Sequence, residues 1–213
     1  AGVGGRVHQG HPIEAATDAS IMPRAGVERI MRCAFKLAQS RPRKLLTVIT
    51  KSNAQRHAMV MWDEIALQIS KEFPDVTWDK ELVDASTARM INRPASLDTI
   101  VATNLHADIL SDLAAGLIGG LGLAPGGNIG THAAVFEAVH GSAPDIAGKG
   151  VANPAALILA GAMMLDHVGE VGAGNRVRAA VARVIEQDQV RTRDLGGTAT
   201  TMEFGDAVVR RIA

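Results

Sequence analysis

The stretch "KLLTVITKSNAQRHAMVMWDEIALQISKEFPDVTWDKELVDA", residues 44–85, decides how the chain is organised. Its "LLTVIT" (45–50) is a short apolar, β-branched run of the kind that forms a strand buried on both faces. After the polar loop "KSNAQRH", Met59, Trp62, Ile65, Ala66, Ile69 and Phe73 recur at helical spacing along one face, and Pro74 ends the segment. "VTWDKELV" then alternates as a second strand. Strand, loop, helix, strand is the order of an α/β fold.

Outward from this stretch the same alternation continues. Upstream, Val27, Ile30, Met31, Ala34, Phe35 and Ala38 predict one face of a helix that stops before "SRPRK". Short extended pieces from Gly4 to Met22, split by His11-Pro12, predict a hairpin or arm. Downstream, a short helix around Ser86–Asn92 ends before Pro94, and "LDTIVAT" reads as a buried strand leading into "NLHADILSDLAAGLIGGLG", residues 104–122. Alternating β and α segments favour a largely parallel sheet with flanking helices. Beyond residue 122 come a loop-rich "APGGNIG", a strand "AVFEAV" and a second loop, "HGSAPDIAGKGVANP". Three helices follow, near 154–168, 174–187 and 202–213.

The composition narrows the function classes. Of 213 residues, 47% are hydrophobic and 21% charged, the balance of a folded globular protein rather than a disordered one. Twenty-two basic residues offset 22 acidic ones, so no chain-wide attraction to nucleic acid or an anionic membrane is expected. No run reaches the roughly 18 apolar residues of a membrane span, and nothing reads as a signal peptide. With Cys33 as the one cysteine, no internal disulfide framework can form, which predicts a reducing, cytoplasmic setting. The opening "AGVGGRVHQG" has no initiator Met and starts as if inside a strand, so the natural start is expected upstream.

Chemistry is expected beyond the carboxyl ends of the strands, where open α/β sheets collect their ligands. Lys51, Asp84 and Asp108 each follow a predicted strand, and Asp112 lies one helical turn after Asp108 on the same side. Converging carboxylates repel unless a cation sits among them, and hard oxygen ligands suit magnesium or manganese. A nearby cation would also favour a neutral lysine, making Lys51 a usable base. Equally, an acidic residue in a first helical turn is favoured by the helix dipole, so Asp108 also reads as a dipole partner and Asp84 as a cap. The second candidate is the loop at 140–154. It lacks GxGxxG, yet Gly141, Gly148 and Gly150 let the backbone wrap a ligand closely, and Asp145 could accept hydrogen bonds from ribose hydroxyls while repelling a 2′-phosphate. Gly and Pro density also marks any tight loop. No pair of histidines has the spacing of a HExxH zinc site, and His106, three residues past a strand, could approach the cleft.

Three long motifs in order, "NLHADILSDLAAGLIGGLG", "FEAVHGSAPDIAGKGVANP" and "RDLGGTATTMEF", resemble the β-decarboxylating dehydrogenases, the isocitrate/isopropylmalate dehydrogenase family. The resemblance covers essentially the whole chain. It implies the α/β fold of that family, with residues 1–122 as a central substrate, metal and dimerisation domain carrying the arm 1–22, and residues 123–213 as the C-terminal part of an NAD-binding domain. It implies that Lys51 of "TKSNA" helps take the proton from the substrate hydroxyl and that Asn53 lies near the nicotinamide. Asp84 of "LVDA" would join metal and substrate, and Asp108 and Asp112 would complete a Mg2+ or Mn2+ site. Family members place Lys51 and Asp84 across a dimer interface from Asp108 and Asp112, so a homodimer is implied.

The same resemblance makes the loop from His140 to Asn153 an adenosine-binding loop, through His140, Gly141, Ser142, Ala143, Pro144, Asp145, Ile146 and Asn153. Asp145-Ile146 matches NAD users, and Asp194 of "RDLGG" matches a position near the adenine. The implied reaction is oxidation of a 2-hydroxy di- or tricarboxylic acid of the isocitrate, 3-isopropylmalate, D-malate or tartrate type by NAD, with loss of carbon dioxide. Departures are informative too. The family's "YAG" or "YSG" tyrosine and its substrate-gripping arginines belong to a preceding part, roughly the first third of a family member, and the chain has no tyrosine. The alternative is a truncated or regulatory, non-catalytic subunit. "NLHAD" and "KSNAQRHAMVMWDE" lean toward tartrate/D-malate enzymes, whereas "GLIGGLGLAPGGNIG" leans toward NAD-isocitrate dehydrogenases.

Overall fold

The computed structural model of the chain describes residues 3–212. Contacts between residues divide it into two compact units, Ala1–Leu110 and Ser111–Ala213, each with its own core.

The first unit is built on three parallel strands, β3 (Leu45–Thr50), β4 (Thr77–Leu82) and β5 (Thr99–Val101), in the order β4-β3-β5. The central position of β3 explains its composition: Leu46, Thr47, Val48, Ile49 and Thr50 are all buried, so both faces of the strand are covered. Helix α1 (Arg24–Ser40) buries Val27, Met31, Ala34, Phe35 and Ala38, and α2 (Ala58–Ser70) buries Met59, Trp62, Ile65, Ala66 and Ile69. Together with Leu46 and Val48 these residues form one apolar cluster, completed by Phe73 stacked on Phe35 at 5.5 Å between ring centroids. Ile30 departs from the expected face and is exposed, because it sits at the edge of the α1 stripe. Helix α3 (Val83–Asn92) begins directly at the end of β4, three residues before the expected start. Arg89 anchors it, donating to Asp79, Glu81 and Ser96.

The expected arm is an antiparallel hairpin of β1 (Val3–Val7) and β2 (Ala15–Ala19), with Val3 opposite Ala19 and Val7 opposite Ala15, exposed along its length. Its turn contains His8 and Gly10 at positive φ and is tied by Glu14, which accepts from the Gly10 N–H and pairs with Arg6.

Helix α4 (Asn104–Ile118) follows β5 and ends where Gly119 and Gly120 adopt φ near +118° and +117°, a conformation that excludes side chains with Cβ. In the second unit the strand expected at "AVFEAV" is β7 (Ala134–Ala138), but it pairs antiparallel with β6 (Pro125–Ile129), a segment the sequence marked as loop. The reason lies in the packing. A Cβ on Gly127 would stand 3.3 Å from the Phe136 ring and from Met163 Cε, so the glycines of "PGGNI" give room to neighbouring side chains while the backbone remains extended. Helices α5 (Ala155–His167), α6 (Val171–Glu186) and α7 (Thr201–Ile212) match the three expected helices and bury Ala155, Ala180, Val181, Val184, Phe204, Ala207 and Val208 against one another. Among the described residues, no helix is long and apolar enough to cross a membrane.

Candidate active-site residues and a glycine-rich pocket

Register delivers the first group. Thr50 of β3 is paired with Leu82 of β4, so Lys51 and Asp84 leave the sheet side by side at its carboxyl edge. Lys51 Nζ donates to Asp84 Oδ1 at 2.5 Å. The hydrogen bond from Lys51, helped by the carboxylate's own backbone N–H, holds the Asp84 carboxyl below the usual carboxylate range. It is therefore ionised at neutral pH and, being largely exposed, turned to solvent rather than locked in the core. The Lys51 backbone is fixed as well: its carbonyl accepts from the N–H groups of Ala54 and Gln55, both at 2.9 Å. Asn53 is exposed on the same turn.

His106, in the first turn of α4, is buried yet lines a small pocket with Met22, Gln55 and Thr103, and its Nδ1 has no hydrogen-bond partner among the described residues. Burial, and then the charge of Lys51, push its imidazole below the usual histidine pKa. Asp108 and Asp112 are exposed on α4, four residues apart, and so on one side of the helix. Among the described residues, no three His, Cys, Asp or Glu side chains gather as a metal-holding group.

The second unit holds a cavity of about 950 Å³. His140, Gly141, Ser142, Ala143, Ile146, Asn153 and Asp194, seven of the residues singled out for adenosine, line it. Pro144 and Asp145, on the 3-10 turn Pro144–Ile146, are not among the lining residues. The sequence reading missed Leu121, Gly122, Arg193 and Thr201 on the wall. Of these, Arg193 could have been suspected from its place beside Asp194.

The walls are held by short-range geometry. Ala143 is left-handed at φ 43°, a strained state for a residue with a Cβ, and Gly148 and Gly150 are also at positive φ. Asn153 is buried. Its Nδ2 donates to Asp194 Oδ2 at 2.9 Å and its Oδ1 accepts the N–H of Ala155, capping α5, while Thr192 Oγ1 donates to Asp194 Oδ1 at 2.5 Å. Gly122 packs onto this pair so closely that a Cβ there would lie 2.8 Å from Asp194 Oδ2 and 3.0 Å from Asn153 Cβ. The opposite rim is tied to α7: Thr201 donates through its N–H to Gly150 and through its hydroxyl to Ala152. Small residues and glycines line the cavity beside one cation and a few fixed polar groups, a lining suited to a flat, hydroxyl- and phosphate-bearing ligand.

Parallel strands presenting polar residues at their carboxyl ends, together with a glycine-rich pocket, define an α/β protein built to bind a small ligand. The sequence model of the isocitrate/isopropylmalate dehydrogenases matches residues 4–208, and the chain belongs to that family. It is 62% identical, over its whole length, to a probable tartrate dehydrogenase/decarboxylase of Agrobacterium vitis, covering 60% of that protein. It is 45% identical over 99% of its length to the decarboxylating D-malate dehydrogenase of Escherichia coli, again covering 60%. The crystal structure of isocitrate dehydrogenase from Methylococcus capsulatus superposes on 99% of the chain with a TM-score of 0.92 at 47% identity, and the match covers 62% of that chain. The chain thus spans about 60% of the length of the curated relatives it matches.

Proposed function

We propose that the protein containing this chain is an NAD-dependent dehydrogenase that oxidises a 2-hydroxy acid bearing a C3 carboxylate and releases carbon dioxide, with tartrate or D-malate as the favoured substrates. The observation that carries the reading is the Lys51–Asp84 hydrogen bond at the carboxyl edge of two neighbouring parallel strands. It places a lysine and an ionised carboxylate side by side at the strand ends, where a divalent cation bound beside them would favour the neutral lysine and so free it to accept a hydroxyl proton. The tartrate and D-malate relatives support the substrate class.

Residues 1–122 are the substrate, metal and dimerisation part, and residues 123–213 contribute to the nucleotide domain. The pocket at His140–Asn153 takes the adenosine portion, with Asn153 held rigid by Asp194 as its floor. The acid at Asp145, on the turn between the lining residues Ala143 and Ile146, supports NAD over a 2′-phosphorylated cofactor as the family resemblance implies. The carboxylates fit a hard divalent cation: Asp108 and Asp112 are exposed on one side of α4, and Asp84 is ionised and largely open to solvent. Mg2+ or Mn2+ would be held by Asp108 and Asp112 of one copy with Asp84 of another, which makes the working form a homodimer. Ile109, exposed between the two aspartates, supports a covered surface there. When bound, such a cation supplies Lewis-acid stabilisation of the developing oxyanion. With the cation present, a neutral Lys51 would accept the hydroxyl proton, Asp84 would orient Lys51, and the pocket residues would orient the cofactor for hydride transfer.

The test is NADH formation with Mn2+ and tartrate, D-malate, isocitrate or 3-isopropylmalate in turn, using the full-length protein. Turnover of tartrate or D-malate with NAD, and much slower turnover with NADP, is expected. No reduction with any of the four acids would refute the reading, and a truncated or regulatory, non-catalytic subunit would replace it.

A further inference from the structure

The turn that presents Lys51 is tethered from outside the candidate site. Ser52, between Lys51 and Asn53, donates its hydroxyl to Asp63 Oδ2 on α2 at 2.7 Å, and the same oxygen accepts Lys80 Nζ on β4 at 2.8 Å. The Ser52 N–H is bound in turn to Thr50 Oγ1, itself buried at the end of β3. Lys80 lies opposite Val48 of β3 and four residues before Asp84. One carboxylate therefore links the exit of β3, which carries Lys51, to the strand that delivers Asp84. The Asp63 side chain is only 15% exposed. Its other oxygen, Oδ1, is buried with no hydrogen-bond partner among the described residues. Desolvating a carboxylate costs stability, and this one recovers only part of that through a single bonded oxygen. Stability alone is a poor account of its presence.

We propose that Asp63 is a positioning residue for the Lys51–Asp84 pair: by tying Ser52 to Lys80 it sets the register of the turn bearing Lys51 and Asn53 against the strand bearing Asp84. The catalytic consequence rests on the dehydrogenase reading; the tether itself does not. A displacement of about 1 Å at a reacting group costs on the order of a hundredfold in rate.

The experiment compares Ser52→Ala, Ser52→Thr and Asp63→Asn with the unmodified full-length protein. Lys51 acetylation by limiting acetic anhydride at fixed pH is quantified by peptide mass spectrometry, with exposed Lys36 and Lys71 as internal references. kcat and KM are measured in parallel. Ser52→Ala and Asp63→Asn should raise Lys51 labelling relative to the references by about threefold as the turn loosens, and lower kcat by roughly tenfold or more with KM for NAD little changed. Ser52→Thr keeps the hydroxyl and should behave as the unmodified protein. Unchanged Lys51 labelling in Ser52→Ala, an equal rise at all three lysines, or a Ser52→Thr as impaired as Ser52→Ala would overturn the proposal. If Asp63→Asn does not fold, the Ser52 pair decides alone. Selective Lys51 labelling in a protein that reduces NAD with none of the four acids would support the tether and count against the dehydrogenase reading, so the two failures are distinguishable.

Discussion

At the residue scale, His106 shows burial and charge acting in the same direction. Its ring is 8% exposed, Nδ1 is unpartnered among the described residues, and both burial and the nearby Lys51 ammonium depress its pKa. The folded state therefore holds the imidazole neutral, while in the unfolded chain it protonates near its ordinary value of about 6.5. The sign follows: the contribution to stability is complete above that value and is lost as pH falls below it toward the depressed folded pKa. His106→Phe removes both the titration and the orphaned nitrogen. At pH 7 it should leave stability unchanged or raise it by about 1 kcal/mol, and it should flatten the fall in Tm between pH 7 and 5. Parallel Tm curves for the two proteins would contradict this account. Nothing in the sequence announced the burial, because a histidine three residues past a strand reads the same whether its ring turns inward or out.

At the element scale, the α5–α6 pairing depends on one small residue. Gly174 is buried on α6, and a Cβ there would stand 2.9 Å from the carbonyl oxygen of Ala162 on α5 and crowd the Asp166–Arg178 ion pair. Backbone cannot move aside as a flexible side chain would, so Gly174→Ala should lower stability by about 1–3 kcal/mol in denaturant unfolding, despite alanine's better helix propensity. A stabilised variant would show that α5 and α6 pack more loosely than described. Elements such as these differ in how readily a sequence reveals them. Helices α1 and α2 were legible because their buried residues repeat with the helical period, and β3 because a central parallel strand is apolar throughout. Strand β6 was not, since "PGGNI" carries turn residues and is held extended only by its pairing with β7 and by the side chains of Phe136 and Met163. In the candidate site, strand ends pointed to Lys51 and Asp84. The roles of Ser52, Asp63 and Gly122 depend on contacts distant in sequence, which no local pattern encodes.

At the scale of the whole molecule, the proposed function puts proton transfer at Lys51 beside Asp84 in a member of the isocitrate/isopropylmalate dehydrogenases. The pocket at 140–153 belongs to the second unit and is built from glycines and the Asn153–Asp194 bond. Cofactor binding and proton transfer should therefore be separable by mutation. Replacing Lys51 with Met keeps the bulk of the side chain and removes the amine. Because Lys51 and Asp84 lie near the surface rather than within either core, the fold should tolerate the change. The decisive measurement is the rate of NADH formation by Lys51→Met in the full-length protein, with Mn2+ and the preferred acid, alongside its NAD affinity and Tm. A loss of about 10²–10⁴-fold in kcat, with NAD affinity and Tm unchanged, is predicted. Activity within a few-fold of the unmodified protein would contradict the assignment of Lys51 and Asp84 as the site of proton transfer.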